Sequence, residues 1–92
     1  MNVNGKEVDI KTVLPLTVGD WRKLSMNSGI EPEDVSRGVL KFFKLVEFIQ
    51  FIIIKANPEI TEEDVDTLSD KDFLTISDEI NSISTEEVDR PL

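Results

Sequence analysis

Carboxylates are the commonest chemically capable side chains of this chain, at 19 Asp and Glu in 92 residues. Closely spaced carboxylates can work as an acid–base pair or as calcium ligands. Asp64-Val65-Asp66 and Asp70-Lys71-Asp72 resemble pieces of a calcium loop. Neither has the central Gly and the spaced terminal Glu that such a loop needs, so no metal site is expected. The chain has no Cys and no His. That excludes disulfides, thiol nucleophiles, Cys/His zinc sites and imidazole-based acid–base schemes. Its 4 glycines form no phosphate-cradling run. A small acidic helical chain invites comparison with acyl carrier proteins, whose carrier serine follows Asp and precedes Leu. Asp66-Thr67-Leu68-Ser69 has the wrong order for that. No enzymatic site and no cofactor are expected.

The acids instead fall into a repeated local motif: apolar, Ser/Thr, two residues, Asp/Glu, apolar. It occurs as Leu16-Thr17-Val18-Gly19-Asp20-Trp21 and as Ile60-Thr61-Glu62-Glu63-Asp64-Val65. It recurs as Leu68-Ser69-Asp70-Lys71-Asp72-Phe73 and as Ile83-Ser84-Thr85-Glu86-Glu87-Val88. Each combines a capping box with a hydrophobic staple, and so encodes a helix start. Three of the four use Asp where Glu or Gln is commoner, which predicts a weaker return bond to the cap.

The elements around these motifs predict a mainly α fold with a small N-terminal β-hairpin and about four helices. Val3-Asn4-Gly5-Lys6 reads as a two-residue hairpin turn. Val8, Ile10 and Thr12 alternate with Asp9, Lys11 and Val13 as in a half-buried strand that Pro15 ends. The first helix is predicted from Val18 to Ser28, with Gly29 as its stop. A long central helix is predicted over 32–56, opened by Pro32 and ended before Asn57-Pro58, with Gly38 as a possible break or kink inside it. A short helix follows from Glu62 to Leu68, then a longer one from Asp70 to about Ile83. The latter carries Phe73, Ile76, Ile80 and Ile83 on one stripe, with Asp72, Ser77, Asp78 and Glu79 largely off it. Residues 1–84 make one domain, and 85–92 read as a flexible acidic tail.

The central helix is the most informative segment. Placed at helical steps from Val35, the residues Val39, Phe42, Val46, Ile49 and Ile53 fall within about 40° of it, as a core face should. Arg37, Lys44 and Lys55 fall on the opposite side. Leu40, Phe48 and Phe51 share that outer side, with Ile52 and Ile54 on the flanks. A helix apolar all round must be covered all round. Either later helices wrap it, or Leu40, Phe48, Phe51 and Ile52 form a protein-binding patch, flanked by Lys44 and Lys55, for self-association into a homo-oligomer or for a partner helix. Trp21, the one Trp, reads as a core anchor beside Leu16 or as an interface hot spot.

The net charge of −9 is uneven. Residues 1–56 hold 8 basic and 7 acidic side chains, and residues 57–92 hold 2 and 12. Nucleic acid and anionic membrane surfaces are therefore unexpected partners. Met1 to Asp9 has no apolar signal core, and the apolar run Phe42 to Ile54 is too short and too charged for a membrane span. A cytoplasmic protein is expected.

The order of a hairpin, a strand, Leu14-Pro15-Leu16-Thr17-Val18-Gly19-Asp20-Trp21, a long apolar helix, and Ile60-Thr61-Glu62-Glu63-Asp64-Val65-Asp66-Thr67-Leu68 before a last amphipathic helix resembles a known family. It is similar to the small tail assembly chaperones of long-tailed bacteriophages and related prophages, over about residues 3 to 84. The resemblance implies a non-enzymatic protein of the host cytoplasm. It implies binding to the long, hydrophobic, helical tape measure protein, which it keeps soluble, and recruitment of tail tube protein. It also implies a longer form made by translational frameshift. The competing expectation is a small acidic regulator that blocks a nucleic-acid-binding partner by mimicking nucleic acid. For the mimic the acids of 57–92 should form phosphate-like rows; for the chaperone they should scatter over caps and solvated faces.

Overall fold

The computed structural model describes residues 2–88, and side chains through residue 82. The described residues are mainly helical, with one small antiparallel hairpin at the N-terminus. The hairpin pairs β1 (Asn2–Val3) with β2 (Lys6–Glu7), in the register Asn2 to Glu7 and Val3 to Lys6. Asn4 and Gly5 both have positive φ, 52° and 81°, as the Asn-Gly turn predicts.

The strand predicted after the hairpin is a 3-10 turn, Ile10–Thr12. The Asp9 carboxylate accepts the Lys11 N–H at 3.2 Å, and the Thr12 hydroxyl donates to the Asp9 carbonyl at 2.8 Å. These local bonds turn the chain before it can extend a ladder that is two residues long. The alternation still sorts the side chains correctly, since Val8 and Ile10 are buried. The Leu14–Pro15 peptide that follows is cis.

Helix α1 runs Val18–Ser28 with the predicted bounds. Thr17 caps it, and Gly29 ends it at φ 66°, in the left-handed region. The predicted central helix is two helices, α2 (Pro32–Ser36) and α3 (Phe42–Ala56). Gly38, at φ 66°, is a stop rather than a kink. Its N–H donates to the Val35 carbonyl at 3.1 Å, and the Val39 N–H reaches back to Asp34 at 3.1 Å. That pair of bonds is the Schellman arrangement, which terminates a helix. Helix α4 (Glu62–Asp66) is capped by Thr61, and α5 (Asp70–Val88) starts where Ser69 accepts the Asp72 N–H at 3.1 Å.

Helix α5 passes through Ile83-Ser84-Thr85-Glu86-Glu87-Val88 without interruption, so this copy of the motif starts no helix. Extending a formed helix is easier than nucleating another, and no Gly or Pro interrupts the chain ahead of Ser84. The predicted tail is thus helical to Val88; residues 89–92 lie outside the described residues.

Helix α3 is the centre of the fold, packed against α1, α5 and the 3-10 turn. Phe48, Ile49, Ile52 and Ile53 are its fully buried face. They meet Leu24 and Ile30 from the α1 region, Val3, Val8 and Ile10 from the N-terminal segment, and Phe73, Ile76 and Ile80 from α5. Ser77 is buried too, on the α5 stripe between Phe73 and Ile80, and not off it as predicted.

Candidate functional site

Two of the capping boxes do more than start helices. In α1 the Thr17 hydroxyl accepts the Asp20 N–H at 3.1 Å, and the Asp20 carboxylate accepts the Thr17 N–H at 3.0 Å. Lys55, in the last turn of α3, donates to the same carboxylate. Burial pushes the Asp20 carboxyl up, but Lys55 and both groups of Thr17 outweigh it and hold the pKa below its ordinary value. At the other end of α1, the Lys44 ammonium donates to the Ser28 carbonyl, where the helix dipole favours a cation. Lys44 belongs to the first turn of α3 and Lys55 to its last. The two lysines therefore clasp α1 antiparallel along α3, one at each end.

Between the clasps lies a groove of about 620 Å³. Its floor is Phe43, Val46, Phe51 and Ile54 of α3. One wall is α1, through Lys23, Leu24 and Asn27, and Glu62 and Asp66 of α4 stand at its rim. Phe43 is 79% exposed, while Val46, Phe51 and Ile54 are half-buried against the core. Phe43 and Ile54 lie on the side of α3 opposite Phe48, Ile49 and Ile52, and Val46 and Phe51 lie on its flanks. Helix α3 is thus apolar on two faces, one covered and one open.

The six residues expected to bind protein separate accordingly. Phe48 and Ile52 are core, at 2% and 0% exposure, and Phe48 stacks on Trp21 with ring centroids 5.9 Å apart. They cannot offer a binding surface. Leu40 is half-buried in the link before α3 and packs on the core. Lys44 is exposed, but is spent on Ser28 and lies 3.5 Å from Glu47. Phe51 and Lys55 do line the groove. Val35 and Val39, which help to set the predicted core stripe, lie outside α3, Val35 in α2 and Val39 in the link after the Gly38 stop. Within α3 the buried residues Phe48, Ile49, Ile52 and Ile53 centre about 70° from that stripe, which leaves Phe43, Val46, Gln50 and Ile54 as an open stripe that the sequence pattern does not mark.

The second box builds a different contact. Asp64 accepts from the Thr61 N–H at 3.0 Å, from Lys6 at 2.9 Å and from Asn4 at 2.7 Å. The Thr61 N–H first, then Lys6 and Asn4, hold the Asp64 carboxyl far below its ordinary value, against the opposing effect of burial. Lys6 also donates to the Glu59 carbonyl at 3.0 Å, and the Asn57 side-chain amide donates to the Glu7 backbone carbonyl at 2.9 Å. The hairpin is thereby fixed to the α3–α4 turn.

Among the described residues, no fully buried side-chain polar atom lacks a hydrogen-bond partner, and no three acidic side chains converge as metal ligands. No described helix is long and apolar enough to cross a membrane. No protein-family model matches the chain, and no match to it was found among curated proteins or solved structures.

Proposed function

We propose that this chain is a non-enzymatic assembly factor whose α1–α3 groove receives an apolar helical segment of a client protein. In its finer form the reading is a tail assembly chaperone of a long-tailed phage. Its client would be the tape measure protein, held soluble in the host cytoplasm until tail tube protein is recruited. One observation carries the reading: α3 keeps a second apolar face, from Phe43 to Ile54, open between two lysine clasps. An amphipathic helix laid into a groove is a recurrent mode of recognition, anchored at i, i+3, i+4 and i+7.

The nucleic-acid mimic is supported less well. Asp64 is bound to Lys6 and Asn4, so one acid of the acidic half is committed to intramolecular structure. A mimic would present that carboxylate to a basic partner.

Co-expression tests the reading. A long coiled-coil protein encoded beside this chain should move into the soluble fraction with it. The complex should survive about 0.5 M salt, where the screening length is only a few ångströms. Phe43→Asp should release the client without unfolding the chaperone. If such a client stays insoluble at every salt concentration, the chaperone reading is wrong.

A further inference from the structure

We infer that the helix received by this groove is basic at the end lying beside α4. The inference rests on the groove reading above and adds the chemistry of its occupant. The apolar floor runs from Phe43 to Ile54, about 16 Å of helix, or three turns of a partner laid along it.

The rim charges are uneven. Asp20 is paired with Lys55, and Glu47 lies 3.5 Å from Lys44. Glu62 and Asp66 line the groove four positions apart on α4, and among the described residues neither has an ion-pair partner. Like charges at that spacing repel on a helix. A lysine or arginine from the occupant would lie between them and relieve the repulsion. Across the groove, Lys23 is also without an ion pair among the described residues and suits an acid on the occupant's other flank. A second copy of this chain is a poor occupant, because two chains at −9 each repel.

Two labelled helical peptides of about 16 residues test this, with the full chain as receptor. Both carry leucines at i, i+3, i+4 and i+7; one has two lysines in its last turn and the other two glutamates. Anisotropy at about 50 mM salt should show the lysine peptide binding about tenfold tighter, through attraction that salt weakens. The double variant Glu62→Gln, Asp66→Asn should reduce that preference to about threefold or less. Phe43→Asp should abolish binding of both peptides. If Phe43→Asp abolishes binding but the lysine preference is absent, or persists in the double variant, the charge inference fails and the groove stands. If neither peptide binds, or both still bind Phe43→Asp, the groove reading itself fails. A dimer in sedimentation that Phe43→Asp abolishes would give the groove to a second copy and overturn the inference.

Discussion

The Lys6 ammonium lies 2.9 Å from the Asp64 carboxylate, joining the N-terminal hairpin to α4 across 58 positions of chain. The same carboxylate closes the α4 capping box. One acid therefore sets a local helix start and a tertiary contact at once. Asp20 repeats the arrangement with Thr17 and Lys55. Aspartate at the third helical position looked like a weaker choice than glutamate. In both boxes, however, the short side chain closes the box and still accepts from a distant lysine.

The first prediction follows from that doubling. Lys6→Met should lower the urea midpoint, whereas Lys11→Met, at an exposed position on the 3-10 turn, should leave it nearly unchanged. Lys6→Met and Asp64→Asn together should cost less than the sum of the two single changes, because they share one contact. Strict additivity in that cycle would mean that Lys6 and Asp64 do not interact.

Acid should weaken the fold, with a sign set by the same two aspartates. Both have folded pKa values below the ordinary 3.8. The unfolded chain therefore takes up protons first as the pH falls. Their contribution is fully present above the unfolded value and is lost as the pH drops through the folded one. Stability should fall steeply below about pH 4, and Asp20→Asn with Asp64→Asn should flatten that slope. An unchanged slope would place the responsible groups elsewhere.

Ser69→Ala should cost about 1 kcal/mol, since the Ser69 hydroxyl accepts one N–H of the first turn of α5. Amide exchange at residues 70–73 should quicken before exchange in α3 does. Unchanged exchange there would mean that the cap bond contributes nothing.

The parts of the fold legible in the sequence are those set by local chemistry. Asn4-Gly5 fixes the hairpin, Thr17 and Gly29 bound α1, and Thr61 and Ser69 start α4 and α5. Each signal acts within a few residues of its effect. Misreadings arose where the outcome depends on what surrounds the segment. Val8 to Val13 alternates as a strand does, but Asp9 bends the chain and the two-residue β2 gives it no ladder to continue. Ser84 looks like a cap, yet α5 is already formed upstream and simply continues. The groove was half legible. That α3 has more apolar surface than one face needs could be read from Phe42 to Ile54. Which face is covered depends on α1 lying along α3, where Leu24 joins the core and Trp21 stacks on Phe48 beside the Lys55–Asp20 and Lys44–Ser28 pairs, contacts that no short-range spacing reveals.

The last prediction separates the two faces of α3. Phe48 is buried and stacked on Trp21, so Phe48→Ala should cost about 3–5 kcal/mol through lost burial and the cavity left behind. It should also shift the Trp21 emission, because the ring loses its stacking neighbour. Phe43 is 79% exposed at the open end of the groove. Phe43→Ala should therefore change stability by less than about 0.5 kcal/mol and leave Trp21 emission alone. Client binding should show the reverse order. Phe43→Ala should weaken it markedly in a chain that remains fully folded. Phe48→Ala should impair it only to the extent that the fold is lost, and a stabilising osmolyte should restore it. The measurement is a pair of melting curves with client titrations run below both midpoints. If Phe43→Ala binds client as well as the unaltered chain does, the open face of α3 is not the contact surface, however apolar it is.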